Sequence, residues 1–187
     1  MIIDKEKLIF IHIPKTAGTS IRSYMARHCS WDKNRVRQPK KHASIKEIKN
    51  EFPVEYETYK KFAIVRNPYD RIVSYFFYLK RLNNYYVRGI DFKIWLNYLV
   101  DIKKENINNS ELQKTFPQNS WVDDTVSILK FENLEKEINS FFKKEIKLPK
   151  TNTSNHQNFL EYYDENSLNN VYNIFKEDFE KFNYKKL

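Results

Sequence analysis

The sequence predicts a three-layer α/β fold in which helices flank a mainly parallel central sheet. Three apolar runs, at residues 9–13, 62–65 and 126–131, have the length and composition of buried strands. Each run is followed by a segment with apolar residues at helical spacing, and strands that alternate with helices indicate βα units. Ligands bind such sheets at the carboxyl ends of the strands, so we expect the site in the loops that follow them.

The composition fits one folded domain over residues 1–187. Hydrophobic residues make up 41% of the chain and aromatic residues 16%, and this length can bury a real core. Cys29 is the single cysteine, which excludes an intramolecular disulfide and a cysteine-based metal cluster and favours a reducing compartment. We find no secretory leader and no run near the roughly 20 apolar residues that span a bilayer. We therefore expect a cytoplasmic protein without a membrane span.

The charge is positive and unevenly spread. The net charge is +9, and residues 1–50 contain twelve basic and four acidic residues. Residues 60–88 contain seven basic residues and one acidic residue. Such clustering favours polyanionic partners, which include nucleotides, nucleic acids, acidic glycans and anionic membranes.

The first strand ends at Pro14 and leads into the loop PKTAGTS, residues 14–20. A helix is expected to begin at Thr19 and Ser20, and its first apolar residues are Ile21, Tyr24 and Met25. Backbone N–H groups and the helix dipole would then meet at one point, which makes an anion site. Lys15 adds a positive charge there, and Thr16, Thr19 and Ser20 add hydroxyl donors. The chain has only two glycines, Gly18 and Gly89, so we expect each where a side chain would clash or φ is positive.

The second strand ends at Arg66, and Asn67-Pro68 break it. A helix is expected from about Tyr69, with Ile72, Val73, Phe76 and Leu79 on one face. Ser74 stands in that helix, eight residues after Arg66. A guanidinium at a strand end and a hydroxyl on the next helix can together bind a phosphate monoester.

The remaining elements are helices and one loop. We predict a helix over 91–103 with Asp91 as its N-cap, and another from Glu132 to Phe142 after the third strand. The clearest helix runs from Asp164 to Phe182. The polar, basic segment 30–44 has no periodicity and is interpreted as a loop that is flexible or becomes ordered with ligand.

The first loop is not an ordinary phosphate loop. That motif reads GxxxxGK[ST], but here Thr19 and Ser20 follow Gly18, and the lysine precedes the glycine. No acidic residue is convincingly placed for Mg²⁺, although Glu132 is the nearest candidate. The residues alone leave several functions open: a P-loop nucleotide or small-molecule kinase, a basic nucleic-acid-binding module, or a catalytically inactive nucleotide-binding protein.

PKTAGTS and VRNPYDRIVS, in this order, resemble the two cofactor motifs of the sulfotransferases that use 3′-phosphoadenosine 5′-phosphosulfate (PAPS). HIPKTAGTS, ILKFENL and the tail LPKTNTSNHQNFLEYYD resemble the carbohydrate branch, which includes the heparan sulfate 2-O-sulfotransferases. The resemblance covers residues 8–184, with a weak match at 83–115. It implies a P-loop-like fold and sulfuryl transfer from PAPS to a hydroxyl, with 3′,5′-adenosine bisphosphate (PAP) as product and no metal.

The resemblance also implies a role for each site residue. Lys15 would bind the donor and stabilise the leaving phosphate. Pro14 would also belong to the donor-binding loop, and the 5′-phosphate would be bound by Thr16, Ala17, Gly18, Thr19 and Ser20. Arg66 and Ser74 would bind the 3′-phosphate, and His42 would be the catalytic base. The partner would be a hydroxyl-bearing acceptor, which we expect to be a glycan or sugar, and no nucleic acid is expected.

Several of these residues have simpler interpretations. His12, between two isoleucines, fits a buried histidine that shapes the loop better than a base, and His156 fits a polar surface loop. Arg66 could pair with Asp70 or Glu132, and Ser74 could be a packed helix serine. Five aromatic residues could stack on sugar rings, although most are expected in the core: Trp31, Trp95, Trp121, Tyr85 and Tyr86.

Overall fold

A computed structural model describes residues 1–28, 36–37, 42–105, 112–149 and 156–187. The chain divides into two compact units: Met1–Arg66 with Gln118–Asn152, and Asn67–Pro117 with Thr153–Leu187. This division does not test the prediction of one domain over residues 1–187, which stays a prediction. Cys29, Trp31 and most of segment 30–44 lie outside the described residues.

The first unit contains the sheet. Its strands are β1 (Ile2–Ile3), β2 (Leu8–Ile11), β3 (Val36–Arg37), β4 (Lys60–Val65) and β5 (Ser127–Lys130). Their order in the sheet is β3-β1-β2-β4-β5. β2, β4 and β5 run parallel, as predicted, and Phe10 lies opposite Phe62 in the β2–β4 register. β1 is antiparallel to both β2 and β3, so the sheet has a mixed edge that the sequence did not predict.

The helices alternate with the strands as expected. In chain order they are α1 (Gly18–His28), α2 (Ile45–Glu51), α3 (Pro53–Thr58), α4 (Pro68–Arg81), α5 (Phe92–Lys104), α6 (Leu134–Phe142), α7 (Glu165–Ile174) and α8 (Lys176–Lys181). α1, α2, α3 and α6 belong to the first unit and the others to the second. Across the described ranges, no helix combines the length and apolar character needed to cross a bilayer.

Both faces of the sheet are buried. One face packs against α1 and α6, and its core comprises Ile3, Leu8, Phe10, Phe62, Ile64 and Leu129 of the strands with Ile21, Tyr24, Met25 and Ile138 of the helices. Residues of the opposite face, such as Ile9, Ile11 and Ala63, are also fully buried. Burial on both faces explains why these strands appear in the sequence as continuous apolar runs.

The second unit is helical. Its core includes Tyr69 and Phe76 of α4, Trp95 of α5 and Phe175 before α8, all at most 1% exposed. Asp91 caps α5 as predicted, because its carboxylate accepts a hydrogen bond of 2.9 Å from the Ile94 N–H.

Two predictions of local structure are wrong. The single helix expected from Asp164 to Phe182 is interrupted at Phe175, whose φ of −111° and ψ of 21° lie outside the helical region. Val171 and Phe179 are buried on either side of that break, and Phe175 itself is buried, so apolar spacing alone could not reveal it. Segment 30–44 is also not a loop throughout, since Val36 and Arg37 pair with β1.

Ion pairs attach the short strand β3 to the rest of its unit. The Arg37 guanidinium donates to Asp4, with Nε 3.1 Å from Oδ2, and it also pairs with Glu55 on α3. The Tyr59 hydroxyl donates to the same Asp4 carboxylate over 2.9 Å. These contacts join three segments that are distant in sequence, and no periodic pattern would predict them.

Candidate active site

The loop between β2 and α1 has an unusual backbone. Lys15 and Ala17 have φ values of 69° and 63°, which are left-handed conformations in non-glycine residues. Each such residue costs about 1–2 kcal/mol, and strain of this kind clusters at functional sites. The alternation of left-handed and ordinary residues turns successive N–H groups toward one side, which is the arrangement of backbone anion sites.

The electrostatics of the loop also suit an anion. The first turn of α1 contains no acidic residue, and its N–H groups carry the positive end of the helix dipole. Thr16 is fully buried, and its hydroxyl donates to the Ile13 carbonyl over 3.0 Å. Because this bond uses the hydroxyl hydrogen of Thr16, Thr16 would donate to an anion through its main-chain N–H. Thr19 is exposed, whereas Ser20 is buried.

Gly18 is required by its contact with His12. A Cβ built on Gly18 would lie 1.9 Å from Cδ2 and Nε2 of the His12 ring, closer than any real contact. Gly89 has a φ of +74° and open space around it. The expectation for the two glycines is therefore confirmed for each, by a steric clash at Gly18 and by a positive φ at Gly89.

Arg66 is brought to the same loop. It follows β4, which lies beside β2, and parallel neighbouring strands end at the same edge of the sheet. Its Nη1 donates to the Lys15 carbonyl over 3.3 Å, and its guanidinium lies 4.3 Å from the centre of the Phe131 ring. Arg66 as a whole residue is 7% exposed. A cation is thus fixed against the loop that carries Lys15.

His42 lies against His12. The two ring centres are 4.3 Å apart, and His42 itself has a left-handed φ of 67°. His42 Nδ1 lies 2.8 Å from the His12 carbonyl, which can only accept, so Nδ1 carries the hydrogen. In the neutral ring this places the lone pair on Nε2, the arrangement a general base requires.

His12 connects these features. Its ring stacks on Phe10 with centres 5.8 Å apart, contacts the ring of His42 and fills the space over Gly18. Its side chain is half-buried in the strand-to-loop connection. This packing agrees with the interpretation of His12 as a residue that shapes the loop.

The sequence did not predict Gln118 at the site, and it offered Trp121 only as one of five aromatic residues that could stack on a sugar. Gln118 begins a short 3₁₀ helix, Gln118–Trp121, and it is fully buried. Its Oε1 accepts from the Arg66 N–H over 2.9 Å, and its Nε2 donates to the Arg66 carbonyl over 2.8 Å. Trp121 meets the His42 ring edge-on, with centres 6.3 Å apart. A single glutamine 52 positions from its partner gives no signal in the sequence.

The other candidate residues lie in the second unit. Ser74 is 1% exposed on α4, and its pairing with Arg66 still rests on their sequence spacing and on the resemblance. The His156 side chain is 10% exposed, with Nε2 3.8 Å from Asp70 Oδ1. It also packs against Phe77 and Tyr162, so the description of His156 as a polar surface residue is wrong.

The aromatic residues considered for sugar stacking differ in how far they are buried. Trp95 is fully buried in the core, and Tyr85 is 83% exposed. Tyr86 stacks on Tyr98, with ring centres 6.3 Å apart. Within the part of the chain that the structure describes, no group of three or more histidine, cysteine, aspartate or glutamate side chains is arranged to hold a metal ion.

Comparison with models of protein families identifies the family of the chain. The model of the Sulfotransferase family matches residues 1–185, which is nearly the whole chain. No curated protein and no solved structure matches the sequence of this chain.

Proposed function

The chain belongs to the sulfotransferase family, and from that premise we propose that it transfers a sulfuryl group from PAPS to a hydroxyl group of a carbohydrate. Family membership makes the protein an enzyme of sulfuryl transfer. It gives no support to the kinase and nucleic-acid-binding alternatives. The donor, the acceptor class and the residue roles are our proposal, and two contacts support it: that of Arg66 with the Lys15 carbonyl and that of His42 with the His12 carbonyl.

The residues present fit the donor. PAPS would supply a sulfuryl group together with a phosphate that leaves as an anion. The P-loop-like turn from Pro14 to Ser20 offers N–H groups at the start of α1, with no acidic residue in the first turn. The guanidinium of Arg66 is a second positive charge beside the loop, because it donates to the Lys15 carbonyl. Together with Ser74, it would bind the 3′-phosphate.

Lys15 and His42 would perform the chemistry. The Lys15 ammonium would stabilise the negative charge that develops on the bridging oxygen of the leaving phosphate. Nε2 of His42 would accept the proton of the acceptor hydroxyl. The hydroxyl oxygen would form a bond to sulfur while the bond between sulfur and the bridging oxygen breaks. The Nδ1 hydrogen bond to the His12 carbonyl keeps His42 in the tautomer that this role needs, and it is the observation that best supports the base.

A carbohydrate acceptor is supported by the sequence and by charge. HIPKTAGTS and ILKFENL resemble the glycan branch of the family. Residues 33–49 contain seven basic residues and one acidic residue, and His42 lies in this segment. A basic segment beside the base would attract an acidic sugar.

The proposal is tested by transfer of labelled sulfate from PAPS to a panel of neutral and acidic sugars, with a phenol as the non-carbohydrate acceptor. We expect the label on a sugar. Lys15→Ala should lower kcat by about 10²–10³-fold, and His42→Ala by about 10²–10⁴-fold. The His42→Ala variant should retain most of its affinity for PAP.

The matched controls are Lys136→Ala and His28→Ala, which remove an exposed lysine on α6 and an exposed histidine at the end of α1. Both should leave kcat unchanged. Full turnover by Lys15→Ala would contradict its role at the leaving group. Loss of PAP binding in His42→Ala would make it a donor-binding residue, and transfer to the phenol alone would exclude a carbohydrate acceptor.

A further inference from the structure

We propose that Gln118 is a positioning residue that holds Arg66 in place for recognition of the donor's 3′-phosphate, an inference that rests on the function proposed above. Its carboxamide forms two hydrogen bonds with the main chain of Arg66, one with the N–H and one with the carbonyl. Both bonds are below 3.0 Å, and Gln118 is fully buried.

The two bonds occur where the sheet can no longer supply partners. β4 ends at Val65, which pairs with Lys130 of β5, so Arg66 is the first residue beyond the ladder. A buried main-chain N–H and carbonyl without partners are costly. The Gln118 amide satisfies both groups with one side chain, as a neighbouring strand would, and thereby extends the ordered backbone by one residue.

That residue is the one whose side chain matters. The Arg66 guanidinium lies over the Phe131 ring and donates to the Lys15 carbonyl, so its direction depends on where the Arg66 main chain is held. Arginine binds phosphate through a planar fork, and a small rotation of its main chain displaces both prongs. Fixing the backbone in advance lowers the cost of ordering the side chain on binding.

The same 3₁₀ turn also reaches the proposed base. Trp121, three residues after Gln118, lies edge-on to the His42 ring. The 118–121 turn therefore supports Arg66 at one end and contacts His42 at the other. The hydrogen bonds of Gln118 hold the Arg66 main chain, so the prediction is confined to donor recognition.

The experiment compares the affinities of PAP and 5′-AMP, which differ by the 3′-phosphate, by calorimetry. Gln118→Met keeps the length and volume of the side chain and removes both hydrogen bonds. We expect it to weaken PAP binding by about tenfold and to change 5′-AMP binding little. The ratio of the two affinities is the diagnostic quantity, because partial unfolding lowers the fraction of active protein and leaves that ratio unchanged.

Asn139→Leu is the matched control. The Asn139 amide oxygen accepts from the Ile146 N–H over 2.7 Å, which is the same kind of side-chain-to-backbone bond in the same unit, on a helix with no proposed site residue. It should leave the affinity ratio at the wild-type value. If Gln118→Met does not fold, Gln118→Asn keeps the amide but is one methylene too short to reach both groups, and it should lower the ratio in the same direction.

The outcomes separate the two claims. If wild-type protein binds PAP no better than 5′-AMP, the proposed 3′-phosphate role of Arg66 is overturned. If the wild type prefers PAP, Arg66→Ala loses that preference and the Gln118 variants keep it, then the proposed function stands and the role of Gln118 is overturned. A lowered ratio in the Gln118 variants and an unchanged ratio in Asn139→Leu is the result we expect.

Discussion

At the scale of single residues, the site depends on contacts between side chains and main chain that allow little substitution. Gly18 is the clearest case, because the His12 ring occupies the space of a Cβ. Gly89 has free space and is constrained only by its positive φ. The two glycines therefore serve different purposes, and the same substitution should affect them differently.

We predict that Gly18→Ala destabilises the protein by about 1–3 kcal/mol, the usual cost of overpacking, and weakens PAP binding because the loop must move. Gly89→Ala should cost about 1 kcal/mol and leave PAP binding unchanged. Urea unfolding and calorimetry measure the two effects. In a His12→Ala background the clash is absent, so adding Gly18→Ala should cost less stability there than in the wild type; an equal cost in both backgrounds would contradict the proposed clash.

Lys15, the rest of its loop and Arg66 could be proposed from the sequence because they stand at the ends of recognisable strands, and their roles stay predictions. Their contacts could not be predicted. The bond from Arg66 to the Lys15 carbonyl joins residues 51 positions apart, and the bonds of Gln118 depend on how the chain returns to the sheet. Long-range hydrogen bonds leave no local pattern in a sequence.

At the scale of secondary-structure elements, long and strongly apolar segments were predicted and short ones were not. β2 and β4 have buried residues on both faces, β5 buries Leu129, and all three stand out as apolar runs. β1 and β3 have two residues each, so they are strands only because of their pairing. β3 is attached to its unit through the ion pairs of Arg37 with Asp4 and Glu55. It therefore lacks the apolar pattern by which a longer strand is recognised in a sequence.

This attachment predicts a dependence of stability on pH. The hydrogen bond from the Arg37 guanidinium holds the pKa of the Asp4 carboxyl below its usual range. A depressed pKa stabilises the fold above the unfolded value of about 3.9, and that contribution is lost as pH falls through the folded value. Asp4→Asn should therefore be less stable than wild type at pH 7, and the difference should shrink as pH falls from about 5 to about 2.

Urea unfolding across this pH range measures the difference. Asp101→Asn removes an exposed carboxylate from α5 and serves as the control for loss of one charge. We expect a smaller and flatter difference for that variant. A difference between wild type and Asp4→Asn that stays constant from pH 7 to pH 2 would show that the contact with Arg37 does not stabilise β3.

At the scale of the whole molecule, charge and family membership agree. The net charge of +9 is concentrated in the first half of the chain, where the loop of Lys15, the segment of His42 and Arg66 all lie. This distribution suits a donor with phosphate groups at two positions and an acidic acceptor. Charge alone fits nucleic acid equally well, and the match to the sulfotransferase family over residues 1–185 distinguishes the two.

The central claim is that the site recognises a nucleotide through both its 5′ and its 3′ phosphate groups. Calorimetry on the wild-type protein with PAP, 5′-AMP and ATP tests it most directly. We predict that PAP binds at least about tenfold more tightly than 5′-AMP, because the 3′-phosphate adds charge-assisted hydrogen bonds, and that Mg²⁺ is not needed. Equal affinities for PAP and 5′-AMP, or tighter binding of ATP in the presence of Mg²⁺, would contradict the claim.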